Sequence, residues 1–222
     1  FPQRIGFVRN TLRAESETGK GYKCDLIISA PSSFELAATT EPYYASAYAL
    51  IYAKGRKLDS ITKPEMLNAF VNEQGHDDIK IGLADRGPGQ LWVFYNGLMG
   101  NIVPYQGQPG DPKVNPGQKM VEEVVKGNVD AAVVWGPTAG YYAQVYKDQV
   151  ELAVLPLKDD PTNPEMRFNY SFSMAVRYGE NAWKEKINQL IKENKSEIDQ
   201  ILRDFGVPLV EIKYHAKKDD DD

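Results

Sequence analysis

Cysteine is nearly absent. The 222 residues contain one, Cys24, which excludes an internal disulfide or a multi-cysteine metal site within them. Its apolar neighbours favour a buried thiol; a reactive thiol, or a disulfide to a residue upstream of Phe1, are the alternatives. Histidine is almost as scarce. His76 sits in the polar loop Gln-Gly-His-Asp-Asp and His215 in a basic tail, and both read as surface residues rather than general bases. No Gly-x-Ser-x-Gly elbow, Walker A loop or His-Glu-x-x-His helix occurs. Glu35, Asp85 and Asp130 are single carboxylates with no local partner for acid–base work. No apolar run approaches the ~20 residues needed to span a bilayer. Basic residues are scattered and the net charge is −5, so no nucleic-acid-binding face is expected.

What is present fits a globular chain: 42% of residues are hydrophobic and 26% charged. The length allows one large domain or two lobes. Residues 26–28 read as a short buried strand and 47–53 as a second. Beyond them strands and helices alternate. Strands are expected at 79–84, 129–134 and 152–155, and helices at 90–99, from Asn115-Pro116-Gly117-Gln118 onward, and at 138–146. Asn115 can cap the middle helix, Pro116 suits its first position, Gln118 can close a capping box and Gly127 can end it. This alternation implies a parallel sheet with crossover helices. Residues 158–164 read as a linker, 172–176 as a strand, and the last part as two amphipathic helices stopped by Gly206 and Pro208. The last part has too few strands for its own sheet, so it is expected to complete the first piece. Residues 1–14 show a weak helical pattern.

Two segments stand out as site candidates. Residues 85–89, Asp-Arg-Gly-Pro-Gly, end a strand and open a helix. Backbone N–H groups there suit an anion or a carbonyl oxygen, and Arg86 adds a charged fork; the plain alternative is a tight turn with a solvated Arg86. In residues 133–137, Trp135 ends a strand at the edge where open α/β sheets bind ligands; the alternative is core packing. Tyr43-Tyr44 and Tyr141-Tyr142 are cleft rings or ordinary half-buried ones.

The run CDLIISAPSSFELAATTEPYYASAYALIYAKG resembles type II periplasmic solute-binding proteins, and KIGLADRGPGQLWV and VVKGNVDAAVVWGPTAGYYA continue the resemblance. Within that family, FPQRIGFVRNTLRA, WGPTAGYY, NYSFSMAVR and ILRDFGVPL resemble the J-type accessory proteins encoded beside PQQ-dependent methanol dehydrogenases of calcium and lanthanide type. The resemblance implies an α/β, two-lobed type II periplasmic binding protein fold. Lobe I would comprise residues 1–50 and 165–215, lobe II residues 51–164 with the crossings, and residues 216–222 a disordered tail. In such proteins a strand–helix–strand unit precedes the Phe-Pro-Gln-Arg stretch, so the first lobe is expected to be incomplete at its N-terminus.

Amino-acid-binding relatives hold the ligand carboxylate with an Arg and its ammonium with an Asp. The matching positions here are Leu36 and Trp135, so zwitterion binding is not expected. The expected ligand- or partner-binding cleft comprises Ser32, Ser33, Tyr43, Arg86, Gln90, Trp135 and Tyr170. No catalytic residue, cofactor or metal is expected. The function implied is a periplasmic accessory role toward a PQQ-dependent methanol dehydrogenase; the alternative is a receptor delivering a small non-amino-acid solute to an ABC permease.

Overall fold

The computed structural model describes residues 11–107 and 114–213. The expected helical pattern over residues 1–14 lies mostly outside them, as does the tail at 216–222. The chain divides into two compact units. The first comprises Phe1–Ala45, Tyr170–Ile201 and Val210–Asp222; the second comprises Ser46–Asn169 and Leu202–Leu209.

The first unit is built around β8 (Asn169–Val176), with which β1 (Ile27–Pro31) and β2 (Ala38–Thr39) pair antiparallel. Helices α5 (Asn181–Glu193) and α6 (Lys195–Asp204) follow. The expected strand at 26–28 is displaced to β1, and it is not buried throughout: Ile28 is 65% exposed. The cause is a register shift between Ile27 and Ala30, which breaks the simple alternation of faces. The small core contains Leu12, Ala30, Ala37 and Ala175, with Cys24, Ile27 and Phe34 packed against it. Cys24 is half-buried and free.

Polar anchoring supplements that thin core. The Arg177 guanidinium donates to the Leu12 and Cys24 carbonyls at 3.2 and 2.7 Å. It also pairs with Asp25 at 2.7 Å and Glu180 at 2.8 Å, and lies 4.2 Å from the centre of the Tyr22 ring. Trp183 Nε1 donates to the Asp25 carbonyl. The segment from Leu12 to Asp25 is thus tied to the end of β8 and the start of α5.

In the second unit the strand order is β7 (Leu152–Pro156), β3 (Tyr44–Ala53), β6 (Ala131–Trp135), β4 (Ile81–Ala84), β5 (Ile102–Tyr105). β4 runs parallel to β5 and β6, whereas β3 is antiparallel to both β6 and β7. The expected parallel sheet therefore holds for the four strands joined by crossovers, and β3 runs against them. The reason is connectivity: β3 enters from the first unit and is not reached by a crossover helix.

Every β3 residue but Tyr48 is buried, so the strand contributes to a core on each face. Leu50 and Tyr52 join Leu83, Val133, Leu67, Trp92 and Phe168 on one face. Ile51 and Ala53 join Val134, Met120, Val121, Val124 and Ala139 on the other. The first face is covered by a short helix α1 (Met66–Asn68), which continues as one π-helical stretch over Ala69–Glu73, and by α2 (Pro88–Tyr95). The second is covered by α3 (Pro116–Lys126) and α4 (Gly136–Val145).

Asn115 caps α3, its side-chain oxygen accepting from the Gly117 and Gln118 N–H groups at 2.9 and 3.3 Å, and Gly127 ends the helix in the left-handed conformation. The capping box does not form. The Gln118 side chain instead donates to Glu122 of the same helix at 2.9 Å, and its oxygen accepts from Tyr142 of α4 at 2.8 Å. Helix α2 stops at Tyr95 rather than residue 99, where Gly97 turns left-handed at φ 65°.

Candidate functional site

A crevice of about 180 Å³ opens at the carboxyl ends of β4 and β6, within the second unit. Three helices begin around it. Gly87 and Gly89 come from the start of α2, Asn115, Pro116 and Gly117 from α3, and Trp135 and Thr138 from α4. Tyr48 and Met120 complete the ring of large side chains.

Each wall has a local cause. After β4, Asp85 N–H donates to the Tyr105 carbonyl at 2.8 Å, and the Asp85 carboxylate accepts from Gly107 N–H. Arg86 then takes a positive φ of 56°, the sole non-glycine among the described residues to do so. That conformation costs a side-chain-bearing residue about 1 kcal/mol or more, and it swings the chain into Gly87, the extended residue before α2. Gly89 lets α2 press onto the sheet: a Cβ there would fall 2.7 Å from Val133 and 2.8 Å from Leu83. On β6, Trp135 sits opposite Tyr48 in register, and their rings meet edge to face at 5.3 Å. Gly136 follows at once, where a Cβ would lie 2.2 Å from the Ala47 carbonyl. No other residue could start α4 so close to β3.

Among the described residues, the lining contains no Asp, Glu, Lys or Arg. The starts of α2 and α4 lack side-chain caps and present the positive ends of their dipoles, while that of α3 is satisfied by Asn115. Such a crevice suits an uncharged or weakly anionic group against aromatic walls, and it disfavours an ammonium. Among the described residues no three His, Cys, Asp or Glu side chains are grouped to hold a metal.

Of the expected site residues, Trp135 lines this crevice, and Arg86 and Gln90 are exposed on the turn and helix whose glycines form its wall. Ser32, Ser33, Tyr43 and Tyr170 lie in the first unit. There Ser32 N–H donates to the Ser171 carbonyl at 2.9 Å and Ser33 is exposed. Tyr43 is buried and its hydroxyl donates to the Ile28 carbonyl at 2.8 Å. Burial pushes the Tyr43 hydroxyl pKa well above its ordinary value, helped by the neighbouring Tyr44, and raises Tyr44 too, against a hydrogen bond shared with Ser29. Leu36 is exposed and its carbonyl accepts from Arg13. Sequence reasoning did not assign Tyr48, Met120 or Thr138 to a site. The Asn-Pro-Gly signal at 115–117 marked a helix start without showing that it faces Trp135.

No family model matches the chain. It is 22% identical over 195 residues to the protein MoxJ of Paracoccus denitrificans, covering 84% of this chain and 68% of that one. It is 26% identical over 200 residues to MoxJ of Methylorubrum extorquens, covering 85% and 63%. The crystal structure of the periplasmic binding protein XoxJ from Methylobacterium extorquens AM1 superposes with a TM-score of 0.67 at 27% identity, covering 95% of this chain and 81% of that one. The fold is that of a type II periplasmic binding protein. Within that class the chain is related to MoxJ and XoxJ, and it spans about two thirds of the length of the two MoxJ proteins.

Proposed function

We propose that the chain is a periplasmic accessory protein of methanol oxidation, which uses a binding-protein fold to bind a PQQ-dependent methanol dehydrogenase, of calcium or lanthanide type, and helps to assemble or activate it. The observation that carries this reading is Trp135. In amino-acid receptors of this fold, the resemblance places an ammonium-binding carboxylate at the end of this strand; here an indole fills it, in a crevice whose described lining carries no charged side chain. A site stripped of its charge anchors has lost the usual ligand while the scaffold is kept. The relation to MoxJ and XoxJ supplies the direction of the new role. The role proposed is binding; among the described residues the crevice lining offers no acid–base pair.

The test is addition of the purified chain to the apo-dehydrogenase. Co-purification and faster recovery of activity are expected; no binding together with unchanged recovery would overturn the reading. A second reading is favoured by the crevice volume: a receptor passing a small non-amino-acid solute to an ABC permease. For that reading, Arg86, Gln90 and Trp135 of the second unit are the proposed contacts. A panel of small organic acids and PQQ would have to raise the melting temperature, since a ligand of the native state must do so.

A further inference from the structure

We propose that the outward face of α2 is the docking surface for the protein partner, and that the partner meets it with an apolar, uncharged patch. The proposal rests on the accessory-protein reading and names the surface that reading needs. Leu91, Phe94 and Tyr95 are 37, 59 and 46% exposed, and Met99, just beyond the helix, is 46% exposed. Leu91 lies three and four residues before Phe94 and Tyr95, so the three share one face. The inner face is taken by Trp92 and Val93, which are buried. The outward rings are also held in place. Phe94 and Tyr95 meet edge to face at 5.3 Å, and the Tyr95 hydroxyl donates to Glu165 at 3.1 Å. Little side-chain freedom is left to lose on binding.

Charge and area decide what can sit there. Residues 87–101 contain no Asp, Glu, Lys or Arg, in a chain of which 26% is charged. Glu165, held by Tyr95, is the charge at the border of this face; a partner charge pressed onto Leu91, Phe94 or Met99 would lose water and meet no counter-ion on the helix itself, so the centre of the matching patch must be uncharged. At about 200 Å² per large side chain, the four exposures amount to roughly 400 Å². Two copies joined through this patch alone would bury about 800 Å² in all, short of the ~1,200–2,000 Å² of a stable interface. A second copy held by this patch alone would therefore not form a stable dimer. The patch has the size of the apolar centre of an interface with a different protein whose polar rim extends beyond it. The start of the same helix, at Gly87 and Gly89, lines the crevice.

The test measures the affinity of the full chain for a PQQ-dependent methanol dehydrogenase, using wild type, Phe94→Asp, Leu91→Asp and, as a control, Val145→Asp on the exposed side of α4. Melting temperatures verify that each variant folds. Phe94→Asp and Leu91→Asp are expected to weaken binding about ten-fold or more, as substitutions at an interface centre do, and Val145→Asp to change it less than about two-fold. Wild-type affinity should vary little with salt, because no exposed ion pair holds the contact. Binding that survives both α2 variants, or that falls steeply with salt, overturns this inference and leaves the accessory reading standing. A wild-type homodimer in sedimentation that Phe94→Asp dissolves would assign the face to a second copy and overturn it as well. Failure of the wild type to bind the dehydrogenase overturns the accessory reading itself.

Discussion

The two units are held together by different physics. The sheet of the second unit is buried on both faces beneath large aliphatic side chains, with Leu50 and Ile51 of β3 fully covered. The first unit has three paired strands and one small cluster of mostly alanine, with Tyr43, Tyr44, Val176, Ile187 and Ile191 buried beside it. Its helix α6 buries no residue, and α5 buries only Ile187 and Ile191. The Arg177 network makes up part of the difference. Apolar burial stabilises in proportion to area and tolerates rearrangement, whereas a hydrogen-bonded cation fails when one partner is lost. The second unit should therefore respond to volume and the first to polarity.

Leu50→Ala breaks the comparison on the apolar side. It should cost the second unit about 2–5 kcal/mol, read from urea unfolding, because both a side chain's transfer and a cavity are lost. A loss below about 1 kcal/mol would mean the core closes over the gap. Arg177→Met should cost about 2–3 kcal/mol, since four acceptors lose their donor. Hydrogen exchange should quicken at residues 12–25 and stay unchanged at residues 131–135; equal quickening in both would show that the units do not open separately. Asn115→Ala should cost about 1 kcal/mol by releasing two N–H groups at the start of α3, with fraying confined to that helix in exchange measurements.

The last effect is nil at neutral pH. Tyr43 and Tyr44 have pKa values raised above the ordinary 10.0 by burial. Their contribution to stability is thus complete below pH 10 and lost as the pH rises through the folded-state values. Absorbance titration should find these two among the tyrosines that resist ionisation, releasing their protons only as the first unit unfolds. Ionisation of all tyrosines near pH 10 with the fold intact would contradict their burial.

Legibility in the sequence followed the range of the interactions. The α3 start was readable because Asn115, Pro116 and Gly127 act on their own helix. The Gln118 partner was not, because Tyr142 reaches it only once α3 and α4 pack. β5 went unread: four residues including Pro104 give too short a pattern, and β4 supplies the pairing. At the site, Trp135 and the turn at residues 85–90 were visible as strand ends that open helices. Tyr48 was not, since it belongs to the crevice only through its register with Trp135.

The sequence by itself determined that residues 47–53 form a strand, that a helix starts at Asn115-Pro116 and ends at Gly127, and that residues 87–101 carry no charge, because composition, capping and periodicity are local properties of the chain. Only the tertiary structure decided that β3 runs against its neighbours, that three helix starts surround one crevice and that Phe94 faces outward. Strand direction, convergence and exposure depend on which distant segments pack together, and no local pattern encodes that choice.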